Sequence, residues 1–283
     1  MAELGAGGHE AIPAPPSTEI DLATSPDLAP LIRATEPDAV AHLAAVTFVP
    51  DATNDPDLAR RVTVGGTSAL FAGLDEAGST AAVLISSSAD VYGAPSELPI
   101  RETAAIRPVN EYGRTKVAQE RVAVEAAARR TIVIARAFNH VGPGQRPVFV
   151  APKLARDVVR LRSNTLDSIP IGDVSVRRDF IDVRDVVVAY RELLEAAAAG
   201  RMKERSATFN VGSRHSISIG ELLTRLCQLA DVEPRWHVDP SQLRPDVIRD
   251  RYADTSALRT LTGWEPRIEL DDSLRDLLAS TSG

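Results

Sequence analysis

The sequence is poor in several residue types, and each shortage excludes a class of protein. Its 283 residues include one cysteine, Cys227, so no disulfide forms within the chain and a disulfide scaffold is excluded. No apolar run approaches the roughly 20 residues that cross a bilayer, and no basic-then-apolar signal peptide opens the chain. We therefore expect a cytoplasmic protein without a membrane partner.

Lysine is also scarce, since Lys116, Lys153 and Lys203 are the only three and the other basic residues are arginines. The 39 acidic residues outnumber the 32 basic ones, and the net charge of -7 argues against a nucleic-acid partner. Individual arginines could still bind an anionic small ligand. The five histidines are scattered without ligand spacing, so we expect no metal site.

Short apolar runs alternate with longer segments of helical composition. Runs rich in valine and isoleucine at 38–45, 81–88, 131–138 and 207–213 predict strands, while about 55–75, 111–129 and 186–200 have helical length and composition. Ser218 with Glu221 three residues later predicts a helix cap. This alternation predicts βαβ units, and hence an α/β fold with a buried, doubly wound parallel sheet.

Tyr112 and Lys116 stand four residues apart in "NEYGRTK", so both lie on one face of a predicted helix. A nearby ammonium stabilises a phenolate, and we expect Lys116 to lower the pKa of Tyr112. A solvated surface pair is the alternative. Ser88 ends the strand in "LISSSADVYG", where hydroxyls of a parallel sheet face the ligand crevice, although serines there also form turns.

The ordered motifs "HLAA", "SSSADVYG", "NEYGRTK", "AFNHVGPGQ", "RRDFIDVRDVV" and "LTGWEP" resemble the nucleotide-sugar branch of the extended short-chain dehydrogenase/reductases. The similarity runs from about residue 20 to 279, and is greatest to reductases of GDP-4-keto-6-deoxy-mannose and to the related dehydratases. It implies a Rossmann-like NAD(P)-binding domain at 1–140 with 179–212. A smaller nucleotide-sugar domain would comprise 141–178 with 213–283.

The resemblance implies a role for each matching residue. Ser88 would hydrogen-bond the sugar oxygen, Tyr112 would exchange a proton with it, and Lys116 would assist Tyr112 and hold the nicotinamide ribose. Asp90 stands where dehydratases carry a glutamate that removes a proton. It is a candidate catalytic residue, but its shorter side chain disfavours dehydration, and a structural turn aspartate is the alternative.

The remaining implied contacts concern cofactor and substrate. The cofactor NAD(P)H would contact residues after the early strands, namely Asp21, Leu22, Leu43, Ala44 and Ala45, besides Tyr112 and Lys116. A GDP-linked sugar would contact Asn139, Lys153, Arg178 and Arg244, with the two arginines clamping the diphosphate. The family pattern also implies a homodimer formed by helices at about 56–75 and 111–129.

The N-terminal stretch "LGAGGHEAI" departs from the family pattern. A phosphate-binding glycine loop lies between a strand and a helix, but here too few residues precede Gly5, and "HEAIPAP" predicts a strand-like piece and a loop. We interpret the glycines as a helix end and expect the first strand and its glycine loop to be missing. An irregular phosphate loop is the alternative. Thr63 also replaces the asparagine usual in "NVxGT", and no residue decides between NAD and NADP.

These features predict an NAD(P)-dependent nucleotide-sugar oxidoreductase that reduces the C4 ketone of a GDP-4-keto-6-deoxy-hexose. A 4,6-dehydratase or a 4-epimerase is the alternative within the class. A nucleotide-sugar binder with impaired catalysis is the alternative outside it, since the missing loop would weaken cofactor binding.

Overall fold

The computed structural model describes residues 7–243 and 248–281. Its strands are β1 (Ala39–His42), β2 (Ala82–Ser88), β3 (Ile132–Ala137), β4 (Asn139–Val141), β5 (Ile169–Ile171), β6 (Arg177–Arg178), β7 (Phe180–Asp182), β8 (Ser206–Val211), β9 (Ile217–Ser218) and β10 (Trp236–Val238). Its α-helices are α1 (Ala29–Thr35), α2 (Val49–Asn54), α3 (Pro56–Arg60), α4 (Gly66–Glu76), α5 (Glu111–Ala126), α6 (Val150–Arg162), α7 (Val183–Ala198), α8 (Ile219–Leu229), α9 (Ser256–Thr262) and α10 (Leu270–Thr281).

The main sheet is parallel and has the strand order β1-β2-β3-β8. Successive side chains of a strand point to opposite faces of the sheet, and helices cover both faces. Leu84 of β2 belongs to a core cluster with α7, and its neighbour Val83 belongs to a cluster with α1, α4 and α5. The chain is therefore an α/β protein with a Rossmann-like sheet, as the apolar runs predicted.

A third core cluster lies outside the main sheet. It joins apolar faces of α6, α8 and α10 with β5, as in the packing of Leu154, Leu222 and Leu277. Short strand pairs accompany it: β5 with β10, β4 with β7, and β6 with β9. The predicted cap of α8 is confirmed, since Ser218 and Glu221 form a reciprocal capping box.

The segment after the N-terminal glycines is irregular, so the predicted strand-like piece in "HEAIPAP" is wrong. Three prolines at 13, 15 and 16 remove backbone donors that a strand needs. Gly7 lies against Arg191 of α7, and residues 9–21 after Gly8 contain no helix, so Gly7 and Gly8 do not lead from a loop into a helix as a phosphate site requires. The helix predicted to precede them falls outside the described residues.

Within residues 7–243 and 248–281, β1 is the first strand and forms one edge of the main sheet. The predicted helix at 55–75 is composite, because α3 passes through a π-turn at Arg61–Gly65 into α4. No helix in this part of the chain is long and apolar enough to cross a membrane.

Candidate active site

Ser88, the last residue of β2, begins a short turn at the carboxyl end of the main sheet. Its hydroxyl accepts a hydrogen bond from the Asp90 amide at 3.2 Å and thereby caps the 3₁₀ turn Ala89–Val91. The same Oγ lies 3.3 Å from Asp90 Oδ2. Ser88 is largely buried, in the position predicted for a hydroxyl that faces the ligand crevice.

Asn110 fixes the start of α5, on which Tyr112 lies. Its side-chain oxygen accepts from the Gly113 amide at 2.7 Å, and its amide nitrogen donates to Asp90 Oδ1 at 3.1 Å. A Cβ at Gly113 would come within 2.6 Å of the Asp90 carbonyl oxygen, so only glycine permits this approach. The helix start is thus attached to the turn after β2, and this places the Tyr112 phenol close enough to the Ser88 side chain for Ser88 to affect its pKa.

Lys116 lies one turn further along α5 and is almost fully buried. Its Nζ donates to the Ser86 carbonyl oxygen at 2.7 Å and to Gln119 Oε1 at 3.0 Å, and lies 5.9 Å from the centroid of the Tyr112 ring. Burial lowers the pKa of Lys116 to about 8, against the opposing effect of the nearby Glu120 carboxylate. The structure therefore brings Ser88, Tyr112 and Lys116 together.

Tyr112 does not have the lowered pKa that its spacing from Lys116 predicted. Burial and the negative charge of Asp90 raise the pKa of the phenol above its usual value, and these effects outweigh the hydrogen bond to Ser88 and the charge of Arg251. The expectation of a lowered pKa is wrong because it counted the ammonium and omitted burial and the carboxylate. The phenol stays protonated at neutral pH, which is the form that donates a proton.

Asp90 forms a largely buried ion pair with Arg251, which comes from the C-terminal part of the chain. Arg251 Nη1 lies 3.1 Å from Asp90 Oδ1. Burial alone would raise the pKa of Asp90, but the Arg251 charge and hydrogen bonds from Arg251, Asn110 and Ser88 hold it below the usual value. The carboxylate is therefore ionised and held by fixed donors.

The candidate substrate residues are connected to this site through backbone pairing. The backbone N–H of Asn139, on β4, donates to the backbone carbonyl of Asp179. The backbone N–H of Asp179 in turn donates to the backbone carbonyl of Arg251. Asn139 Oδ1 is buried and has no hydrogen-bond partner among the described residues. Arg178 Nη1 donates to the carbonyls of Arg177 and Ile248 at 2.7 and 2.8 Å.

The other two predicted substrate residues differ in how they are placed. Lys153 of α6 contacts Asp157 Oδ2 at 3.3 Å and the Pro170 carbonyl oxygen at 3.2 Å. These contacts place the ammonium between α6 and β5, and no contact connects it to Ser88 or Tyr112. Arg244 lies outside the described residues.

The predicted cofactor residues lie beside β1 and before α1. Leu43 and Ala44, which follow β1, are exposed, and Ala45 is half-buried. Asp21 Oδ1 accepts from the Ala23 amide at 2.9 Å and so caps a local turn. Leu22 packs against Gly66 at the start of α4.

Several residues around the site were not predicted from the sequence. Asn110 carries a recognisable signal, since asparagine is a preferred helix cap. Glu120, four residues after Lys116, pairs with Arg136 of β3 at 2.7 Å. Thr63, noted as a departure from the family pattern, is fully buried and accepts from the Val46 amide at 3.2 Å. No group of three or more potential metal-binding side chains occurs in the described part of the chain.

Comparison with known proteins places this site in a family context. The family model described as GDP-mannose 4,6 dehydratase matches residues 14–277. A GDP-6-deoxy-D-mannose reductase of Pseudomonas aeruginosa is 37% identical over 248 residues, which cover 86% of this chain and 80% of that protein. A GDP-6-deoxy-D-talose 4-dehydrogenase of Aggregatibacter actinomycetemcomitans is 27% identical over 250 residues, with coverages of 88% and 81%.

A solved structure shows the same fold. The RMD protein of Pseudomonas aeruginosa, complexed with NADPH, superposes with a TM-score of 0.86 and 34% identity, covering 96% of this chain and 90% of that one. The motifs, the fold and the family match agree over nearly the whole chain. The chain therefore belongs to the GDP-mannose 4,6 dehydratase family, a group of short-chain dehydrogenase/reductase enzymes.

Proposed function

We propose that this protein is an NADPH-dependent reductase of the C4 ketone in a GDP-4-keto-6-deoxy-hexose. The observation that carries the proposal is the meeting of Ser88, Tyr112 and Lys116 at the carboxyl end of β2, in a chain 37% identical to a GDP-6-deoxy-D-mannose reductase. Among the compared solved structures, the RMD protein, at 34% identity, is complexed with NADPH, and a UDP-glucose-4-epimerase of Stenotrophomonas maltophila, at 26% identity, holds NAD.

In this mechanism, the Ser88 hydroxyl hydrogen-bonds the ketone oxygen and orients it toward the phenol. Tyr112 donates its proton to that oxygen as the carbonyl becomes an alcohol. The buried Lys116 ammonium stabilises the phenolate that remains, because opposite charges attract strongly where water is excluded. The raised pKa of Tyr112 suits this direction, since the phenol begins the reaction protonated.

NADPH would supply the hydride. Residues that fit such a cofactor are the exposed Leu43 and Ala44 with Ala45 after β1, Asp21 and Leu22 beside α4, and the Lys116 ammonium. Two of the three ammonium hydrogens are donated to Ser86 and Gln119, and the third supports the assignment because it needs an acceptor in this buried site.

For the substrate we propose contacts with Asn139, Arg178, Lys153 and Arg244. The buried Asn139 Oδ1, which has no partner in the described part of the chain, supports a ligand contact there. Arg178 lies on β6 and is followed by Asp179, whose backbone hydrogen-bonds the backbones of Asn139 and Arg251. Arginine suits a diphosphate because its guanidinium binds two oxygens at once.

Asp90 bears on the competing activities of the family. A dehydratase needs a carboxylate free to remove a proton, whereas Asp90 is ionised and held by Arg251 and Asn110. We therefore propose that Asp90 orders the turn below Ser88 and Tyr112, and that reduction is favoured over dehydration.

We further propose a cytoplasmic homodimer with a sheet domain at 1–140 and 179–212 and a substrate domain at 141–178 and 213–283. The separate core cluster of α6, α8 and α10 supports the division.

For the dimer, Val124 on α5 is 51% exposed, and Ile106 beside that helix is 38% exposed. Substituting Val124 by glutamate should yield a monomer in light scattering, while the same change at the exposed Val238 should not.

The activity is tested by incubating the protein with NADPH and GDP-4-keto-6-deoxy-mannose. We expect loss of absorbance at the nicotinamide band and formation of a GDP-6-deoxyhexose. No NADPH oxidation with this ketone, together with dehydration or C4 epimerisation of GDP-mannose without net NADPH consumption, would contradict the proposal.

A further inference from the structure

Lys116 is attached to a buried chain of polar side chains that runs from α5 through α4 to the end of β1. Lys116 Nζ donates to Gln119 Oε1, and Gln119 Nε2 donates to Thr67 Oγ1, each at 3.0 Å. Thr67 Oγ1 also lies 2.9 Å from His42 Nε2 and 2.6 Å from the Thr63 carbonyl oxygen. All four side chains, from Lys116 to His42, are buried.

Counting hydrogens fixes the direction of each hydrogen bond between Lys116, Gln119, Thr67 and His42. A carbonyl oxygen only accepts, so the single hydroxyl hydrogen of Thr67 is donated to Thr63. Thr67 Oγ1 must then accept from both Gln119 and His42, which places the hydrogen of the His42 ring on Nε2. Burial and the Lys116 charge lower the pKa of His42 to about 4, so the ring is neutral and donates only through Nε2.

The same count fixes the orientation of the Gln119 amide. If the amide were turned over, its NH₂ group would face the Lys116 ammonium, and its oxygen would face a hydroxyl that has no hydrogen left to give. The carbonyl oxygen is therefore held toward Lys116. In a buried site this orientation is costly to change, because it would leave two polar groups unsatisfied.

We propose that Gln119 is a positioning residue that holds the Lys116 ammonium in its charged form and aims it at Tyr112. Together with the Ser86 carbonyl, Gln119 Oε1 accepts two of the three ammonium hydrogens and leaves the third for the reacting side of the site. The inference rests on the proposed function only in taking Lys116 to act in the reaction.

The other charged groups around Lys116 are either held in ion pairs or buried. Glu120 on the same helix is paired with Arg136 of β3, and the carboxylate of Asp90, beside Tyr112, is paired with Arg251. His42, which faces Lys116 from β1, is already neutral above about pH 4. Tyr112 titrates far above neutrality. Titration near pH 8 therefore belongs to Lys116 itself.

Two substitutions at Gln119 should move that titration in opposite directions. In Gln119→Met the ammonium loses an acceptor, so Lys116 should lose its proton about one pH unit lower. In Gln119→Glu the ammonium gains a negative partner, and its titration should shift upward by a similar amount. A role confined to packing would lower the stability of both variants and would shift neither titration.

The titration can be read without any activity, because the chain has only three lysines. Two-dimensional NMR of protein labelled with ε-¹³C-lysine gives one signal for each lysine, and the change of the Lys116 Cε shift with pH gives its pKa without any reagent having to enter the site, with the exposed Lys203 as an internal reference. Opposite shifts in the two variants support the proposal, and shifts of one sign or none overturn it. Absence of ketone reduction by the wild type, with the opposite shifts still present, would refute the proposed function alone.

Thr67→Val tests the far end of the chain, and Thr115→Val is its matched control. Thr115 carries a buried hydroxyl on α5, and within the described residues it donates to the Glu111 carbonyl of its own helix. Thr67→Val frees the amide of Gln119 to rotate, and should shift the Lys116 titration downward by less than Gln119→Met does. Thr115→Val should leave it in place, and equal shifts in the two valine variants would contradict the proposed chain.

Discussion

Arg251 and Asp90 form an ion pair across 161 residues of sequence, with Arg251 Nη1 3.1 Å from Asp90 Oδ1. The pair joins the C-terminal part of the chain to the turn that follows Ser88. Because Arg251 comes from so distant a segment, the ion pair fixes the C-terminal part of the chain to the turn that positions Ser88. Its disruption should therefore affect both stability and the proposed reaction.

Arg251→Gln should lower the free energy of unfolding by about 3–5 kcal/mol at neutral pH, because it leaves the buried Asp90 carboxylate without its partner. The pKa of Asp90 is lowered in the folded wild type, so the pair contributes stability above about pH 4 that is lost as the pH falls through the folded value. In the variant, burial raises that pKa instead, so the difference between the two proteins should shrink in acid. Urea unfolding at pH 7 and pH 4 measures both effects.

The double variant Asp90→Asn with Arg251→Gln is the control for this prediction. It removes both charges, so at pH 7 it should be more stable than Arg251→Gln alone. An Arg251→Gln protein as stable as the wild type at pH 7 would show that the pair contributes nothing.

The buried pair of Glu120 and Arg136 should behave in a similar way. Glu120 accepts from Arg136 Nε at 2.9 Å, from Arg136 Nη2 at 2.7 Å and from Ser87 Oγ at 2.5 Å. Glu120→Ala should cost about 3–5 kcal/mol, because it strands a buried guanidinium. Glu120→Met with Arg136→Met should cost less than the single alanine variant in the same unfolding assay, and the reverse order would disprove this account of the pair.

Gly93, which ends the turn after β2, has a left-handed backbone with φ of 64°. A Cβ there would overlap the Arg107 carbonyl oxygen, whereas Gly78 has φ of 67° and open space around it. Gly93→Ala should therefore destabilise the fold by about 3 kcal/mol and Gly78→Ala by about 1 kcal/mol. Thermal unfolding of both variants tests the difference, and equal losses would mean that the Arg107 contact is relieved without cost.

GDP should raise the melting temperature more than NADPH at equal concentration. In the described residues 7–243 and 248–281, the first strand-to-helix connection, from β1 to α2, contains no glycine, whereas a glycine loop at such a connection normally binds a dinucleotide pyrophosphate. Arg178, the residue proposed to bind the diphosphate, lies two residues before Phe180, which pairs with Asn139. Differential scanning fluorimetry gives both shifts, since stabilisation grows with ligand concentration relative to Kd. A larger shift with NADPH would contradict this expectation.

The main sheet could be predicted because its central strands β2 and β3 are short runs of buried residues such as Val83 to Ile85, which is typical of parallel sheets. Ser88, Tyr112 and Lys116 could be predicted because their signal is local, a strand end and a spacing of four. Arg251 could not, since its role depends on a partner 161 residues away. The pKa of Tyr112 was mispredicted for the same reason, because burial and Asp90 act on it through the fold.

Tyr112→Phe tests the central claim most directly, in the NADPH-dependent reduction of GDP-4-keto-6-deoxy-mannose. Removing the phenolic proton donor should lower kcat by about 10²–10⁴-fold, while GDP still raises the melting temperature as it does for the wild type. The half-buried ring keeps its packing in phenylalanine, so the loss would reflect chemistry and not folding. Reduction by the variant at the wild-type rate would contradict the account.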